Sequence, residues 1–136
     1  MKGSYILVIE LKRDKTIQVG KLGKIFFKKG FYVYVGSALN GLEQRIRRHL
    51  RSNKKRYWHI DYLLQYATIT NVFYKESKDK EECKIAGILA KKLKSIQSFG
   101  SSDCKCKSHL FYRSKKGLEN IIKQLKMIFY EINANT

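Results

Sequence analysis

With 136 residues, 43% of them hydrophobic and 12% aromatic, the chain is long enough for one folded domain and too apolar for disorder. Its 29 Lys and Arg against 11 Asp and Glu give a formal net charge of +18, which favours a polyanionic partner, nucleic acid above all. No long apolar run or basic amphipathic anchor suits a membrane, Met1-Lys2-Gly3 leads into a strand without a signal-peptide core, and three cysteines do not make a secreted disulfide framework, so a cytoplasmic protein without a membrane partner is expected.

No internal repeat, Pro-rich linker or low-complexity block divides residues 1–136, which read as a single domain. Ser4–Leu11 is apolar and β-branched enough for a strand. The turn-like Arg13-Asp14-Lys15 closes it, and Thr16–Val19 reads as its hairpin partner. Gly20 and Gly23 flank a second reversal, Lys24–Phe27 forms a short strand, and Gly30 precedes the central-strand run Phe31-Tyr32-Val33-Tyr34-Val35. Leu42, Ile46 and Leu50 then mark the buried stripe of an amphipathic helix, and His59–Tyr66 reads as a shorter one. After the β-prone Thr68–Tyr74, Asp79 and Glu82 have capping-box spacing for a helix running to about Ile96. A loop over Gln97–Ser108, a strand at His109–Tyr112 and a helix over Leu118–Ile132 complete an α/β (α+β) order with strands first.

Helical periodicity sets Arg45 and His49 on one flank beside the buried stripe, while Arg47, Arg48 and Arg51 turn toward solvent. The first pair either snorkels along the core edge or faces a site. The strand-to-helix turn around Gly36-Ser37 and Gly41 is either plain turn geometry or a phosphate-facing row of N–H groups. Glu82 falls on the apolar face of its helix, where a capping box, a cation such as Arg45 or a bound metal would satisfy it. Cys83, Cys104, Cys106 and His109 are four soft donors, but the single residue between Cys104 and Cys106 is poor zinc spacing. Free thiols and no stoichiometric zinc are the expectation. Basic residues in Arg45–Arg56 and Lys91–Lys94, with Lys105, Lys107, Arg113, Lys115 and Lys116, spread phosphate-neutralising charge over several elements.

Taken together, Gly3-Ser4-Tyr5, Tyr34-Val35-Gly36, Arg45 and His49 resemble the motifs of the GIY-YIG nuclease superfamily, in the same order. More narrowly, Phe31–Ala38, Trp58-His59-Ile60-Asp61-Tyr62, Glu82-Cys83 and the run from Ser102 to Tyr112 are similar to an archaeal branch found alone or attached to endonuclease III-type DNA glycosylases. The resemblance implies a small mixed central sheet with an added hairpin, flanked by helices, and a Mg²⁺- or Mn²⁺-dependent cut of a DNA phosphodiester, with DNA repair as the setting. It makes Tyr5 a candidate general base, Tyr34 a residue positioning water or phosphate, Arg45 the cation on the phosphate, His49 and His59 further polar groups, and Glu82 the metal ligand. Gly36, Ser37, Arg47, Arg48, Arg51, Lys105, Lys107, His109 and Arg113 are the expected DNA contacts. An unperturbed tyrosine pKa near ~10 means that Tyr5 needs help to ionise, and His49 is an alternative proton acceptor.

Three features depart from the superfamily pattern: the first motif reads Gly-Ser-Tyr, the stretch from Tyr5 to Tyr34 is long, and no asparagine aligns with the final active-site position, where Ser108 and His109 are nearest. The rival function is a non-catalytic nucleic-acid-binding module that supports a repair protein. RNA is the other polyanion that Tyr57 and Trp58 beside basic residues would permit.

Overall fold

A computed structural model describes residues 2–101, 106–114 and 118–131. Strand β1 (Gly3–Leu11) lies in the interior of a six-stranded sheet, between β4 (Gly30–Ala38) and β5 (Thr68–Glu76). Strands β7 (Leu110–Arg113) and β6 (Lys94–Ser95) extend the β4 side, and β8 (Ile128–Tyr130) extends the β5 side. The α+β class agrees with the sequence reading, whereas the sheet, expected to be mixed in direction, is antiparallel in every described pairing.

Strand β1 is nearly continuous in apolar residues because both of its faces are covered. Tyr5, Leu7, Ile9 and Leu11 face one core with α1 (Leu42–Leu50), α2 (His59–Leu63) and the hairpin residues Ile17, Val19 and Phe27. Ile6 and Val8 face the other, with Ile85, Ala86 and Leu89 of α3 (Glu82–Ala90) and Ile122 of α4 (Glu119–Gln124). The register skips one β5 residue between Val8 and Ile9, where the hydroxyl of Thr70 donates to the Val8 carbonyl at 3.2 Å.

Several expectations are corrected. Strand β2 (Lys15–Gln18) pairs with β3 (Lys24–Phe27) and not with β1, so the hairpin is a separate two-stranded sheet inserted between β1 and β4. The reason is competition: both edges of β1 are taken by longer nine-residue strands. The Asp79–Glu82 capping box does not form, because Asp79 closes a turn with the Ser77 hydroxyl and α3 begins at Glu82 without a side-chain cap. That helix stops at Ala90, and Lys94 and Ser95 pair with the exposed edge of β7. The expected helix over Leu118–Ile132 ends at Gln124. Lys126 then adopts a positive φ of 55°, and Ile128–Tyr130 adds to the free edge of β5. No helix among the described residues is long and apolar enough to cross a membrane.

Candidate active site

The site begins with strand register. Tyr5 on β1 stands directly across from Gly36 on β4, and Leu7 stands across from Tyr34, so both tyrosines project from the same face at diagonal positions. Any side chain at position 36 would fall inside the Tyr5 ring, and glycine lets that ring lie flat over β4. Gly3 meets a comparable limit, since a Cβ there would run into the Lys75 carbonyl of β5.

Helix α1 packs on this face and carries His49, which is 2% exposed, against the tyrosine pair. The Tyr5 hydroxyl and His49 Nε2 are 2.6 Å apart, and the His49 ring lies 5.3 Å from the Tyr5 ring and 6.1 Å from that of Tyr34. His49 Nδ1 is buried without a hydrogen-bond partner. Which of Tyr5 Oη and His49 Nε2 donates in the 2.6 Å contact is set by the imidazole tautomer. Burial is the main reason that the imidazole resists protonation, with its pKa lowered to about 3, and neighbouring Arg48, Lys54 and Arg45 add to the effect against Asp61. Burial thus disfavours the imidazolium that would form if His49 took the Tyr5 proton, the alternative in the sequence reading, and the 2.6 Å contact positions the phenol.

Burial raises the Tyr5 pKa well above its ordinary value, and Tyr34 and Glu82 push the same way, while the charge and hydrogen bond of Arg45 pull it down. Tyr34 is raised by burial first and then by Glu82 and Asp61, with Arg45 again opposing. Arg45 is held in place from two sides: its Nη1 donates to the Ser37 carbonyl at 3.0 Å, and its guanidinium lies 4.7 Å from the centre of the Trp58 ring. Glu82 enters from the first turn of α3 with a side chain only 13% exposed and Lys80 Nζ 3.6 Å from its carboxylate.

Tyr5, Tyr34, Gly36, Ser37, Arg45, Glu82 and His109 thus line one pocket of about 440 Å³, together with Trp58 and Lys80. His49 stands directly behind it. His59 is not brought there: its Nδ1 accepts the Gly100 N–H at 2.8 Å, its ring packs on Phe99, and it borders a separate depression with Gly20 and Tyr62. Arg113 sits opposite Phe31, at the far end of β4 from Gly36. Arg47, Arg51 and Lys107 are exposed outside the pocket, with Arg47 paired to Glu43 at 3.0 Å, and Lys105 lies outside the described residues.

Arg48 is the clearest correction among the expected DNA contacts. Instead of turning to solvent it grips Asp61, whose side chain is fully buried, through Nη1 at 3.1 Å and Nη2 at 3.0 Å, while its guanidinium stacks on Trp58 at 4.3 Å. Asp61 also accepts the backbone N–H groups of Tyr57 at 2.8 Å and Trp58 at 2.9 Å. Burial alone would raise its pKa, but these four donors outweigh it and hold the carboxyl below the usual range. Sequence reasoning gave neither Asp61 nor Trp58 a role in the site. The available signal was an acid three residues after Trp58 at a helix start, the spacing at which a carboxylate reaches back to the preceding N–H.

A pH dependence follows for the fold. Above the unfolded histidine pKa of ~6.5, His49 is neutral in both states; below it the unfolded chain binds a proton that the folded site refuses. Stability should fall by about 1.4 kcal/mol per pH unit on this account as pH drops from ~6.5 toward the folded value of about 3. Asp61 adds its own loss from the lower end of this window downward, near and below the ordinary carboxylate range. Urea midpoints of the parent and of His49→Gln at pH 7, 6, 5 and 4 check this. Equal pH slopes in the two proteins would remove His49 as the cause.

Across residues 4–132 the chain matches the family described as Domain of unknown function DUF123, and it belongs to that family. No curated protein and no solved structure matches it.

Proposed function

We propose that the protein is a divalent-metal-dependent endonuclease of the GIY-YIG kind, hydrolysing phosphodiester bonds in DNA, with repair as the setting. The observation that carries this reading is the convergence of Tyr5, Tyr34, Arg45 and Glu82, from four separate elements, on one pocket of a strongly basic protein. Binding alone would need the charge but not a buried phenol pair facing a carboxylate and a guanidinium.

The donor set fits a hard cation. Mg²⁺ and Mn²⁺ favour oxygen ligands, and Mg²⁺ is typically bound by one or two carboxylates, with water and substrate phosphate oxygens completing its shell. Glu82, on the pocket wall, supplies one carboxylate and would hold the ion. When bound, such an ion supplies positive charge to a phosphoryl oxygen.

The remaining roles belong to the chain. Arg45, fixed by Ser37 and Trp58, stabilises charge on the phosphate. The 2.6 Å contact with His49 Nε2 aims the Tyr5 oxygen, and the charge and hydrogen bond of Arg45 oppose the burial that raises the Tyr5 pKa. Tyr5 gives up its own proton to solvent when substrate binds; as a water oxygen then bonds to phosphorus and the ester P–O bond breaks, the Tyr5 oxygen takes the water proton and the leaving oxygen takes one from solvent. Tyr34 orients the attacking group from the neighbouring position. Lys80 and the exposed Arg51 and Lys107 add sequence-independent attraction.

The test is incubation of the purified protein with nicked, flapped, branched, abasic and single-stranded DNA in Mg²⁺, Mn²⁺ or EDTA, with RNA as a comparison. Metal-dependent cleavage is expected, and its absence on every substrate overturns the nuclease reading. One observation favours a non-catalytic nucleic-acid-binding module instead: the Lys80 ammonium beside Glu82 offsets part of the charge that a cation needs. Both readings require salt-sensitive binding. If about four phosphates are neutralised, log K should fall against log salt with a slope of about −3.6. A slope near zero in fluorescence-anisotropy titrations would remove nucleic acid as the ligand.

A further inference from the structure

We propose a second metal site, separate from the Glu82 carboxylate, in which Cys83, Cys106 and His109 hold a zinc-class ion that ties α3 to the segment entering β7. The sequence reading set zinc aside because of the Cys104–Cys106 spacing. The fold removes that objection. Cys83 is exposed on the first turn of α3, and the strand that follows Cys106 and His109 lies in the sheet that this helix covers. Two Sγ atoms and one ring nitrogen come within 4.8 Å of one another.

The geometry is close to that of a ligated ion. With Zn–S near ~2.3 Å and Zn–N near ~2.0 Å, tetrahedral ligand atoms stand roughly 3.5–3.8 Å apart. A contraction of about 1 Å reaches that spacing, which rotation of the two thiol side chains can supply. His109 is the fixed member: its N–H donates to the Phe99 carbonyl at 2.8 Å and its carbonyl accepts the Val35 N–H at 2.9 Å. A depression lined by Cys83, Gly87, Lys91, Cys106 and Lys107 gives the ion a path from solvent. Three protein ligands leave a fourth position to solvent.

The site also has a structural consequence for the pocket. Cys83 follows Glu82 directly, and His109 itself lines the pocket, so an ion holding both would fix the distance between two of its walls. This role is independent of whether the pocket cleaves DNA.

Cobalt is the probe, because a Co²⁺–thiolate site absorbs strongly where the protein does not. The chelator-treated full chain, kept reduced with a phosphine, should take up one Co²⁺ with thiolate-to-cobalt absorption. Zinc should displace it and raise the thermal midpoint. Cys83→Ser, at an exposed position, should weaken uptake by a factor of ~100 or more, and Cys106→Ser should do the same. No cobalt uptake by the parent overturns the proposal. So does uptake that survives Cys83→Ser but is lost on Cys104→Ser.

Discussion

Replacing Glu82 with glutamine is expected to lower metal-dependent cleavage by a factor of ~100 or more while leaving DNA affinity equal or slightly improved. The amide keeps the size of the side chain and removes the negative charge that attracts a hard cation and repels phosphate. The fold sharpens the comparison, because Glu82 caps nothing: α3 has no side-chain cap, and the Lys80 partner is half-exposed. A pair of that kind contributes ~0–1 kcal/mol, so the thermal midpoint should barely move. Cleavage rate, affinity and melting point measured on one preparation separate the cases. Unchanged cleavage by a folded Glu82→Gln protein would remove the carboxylate from the reaction, and the cobalt site at Cys83 would stand or fall by its own titration.

Truncation of Asp61 to alanine should be the most damaging single change to stability away from the apolar core. The fully buried carboxylate accepts from both Arg48 nitrogens and from the backbone of Tyr57 and Trp58, and all four donors lose their partner at once. Removing one member of such a buried pair costs ~3–5 kcal/mol, a large fraction of what holds a domain folded. For this chain length that corresponds to a fall of roughly 10–20 °C in melting temperature. Asp61→Asn, which keeps one acceptor oxygen and the volume, should lose less. The damage should extend to the pocket, because Trp58 is the surface on which both Arg45 and Arg48 rest. Alanine at 61 with a melting point within 3 °C of the parent would show that Arg48 finds an equivalent partner elsewhere.

Local pattern and non-local geometry divide what could be read in advance. The apolar run of β1, the aromatic run of β4 and the Leu42–Ile46 stripe are each properties of a short window, and each maps onto the observed element. The fate of Ile128-Phe129-Tyr130 is not: helical spacing and β-propensity coexist there, and the open edge of β5, more than fifty residues earlier, decides. Partner choice for β2 failed for the same reason. Tyr5, Tyr34, Arg45 and Glu82, singled out from the sequence, line one pocket, yet the burial of His49 against Tyr5, Tyr34 and Trp58 depends on residues that folding brings to it. Arg48 was misplaced because a helical wheel has no knowledge of Asp61 on the next helix. Cys83, Cys106 and His109 show the same limit from the other side, since spacing along the chain says little about donors that folding brings together.

The position of β1 also carries a burden during synthesis. Its two neighbours are residues 30–38 and 68–76, so one edge of its apolar backbone stays unpaired until β5 has left the ribosome. At 5–20 residues per second that interval is roughly 3–13 s, long compared with the time for a loop or hairpin to form. An open strand as apolar as Tyr5–Ile9 is an invitation to pair with another nascent chain. The excess of lysines and arginines works against that pairing, since like-charged unfinished chains repel one another.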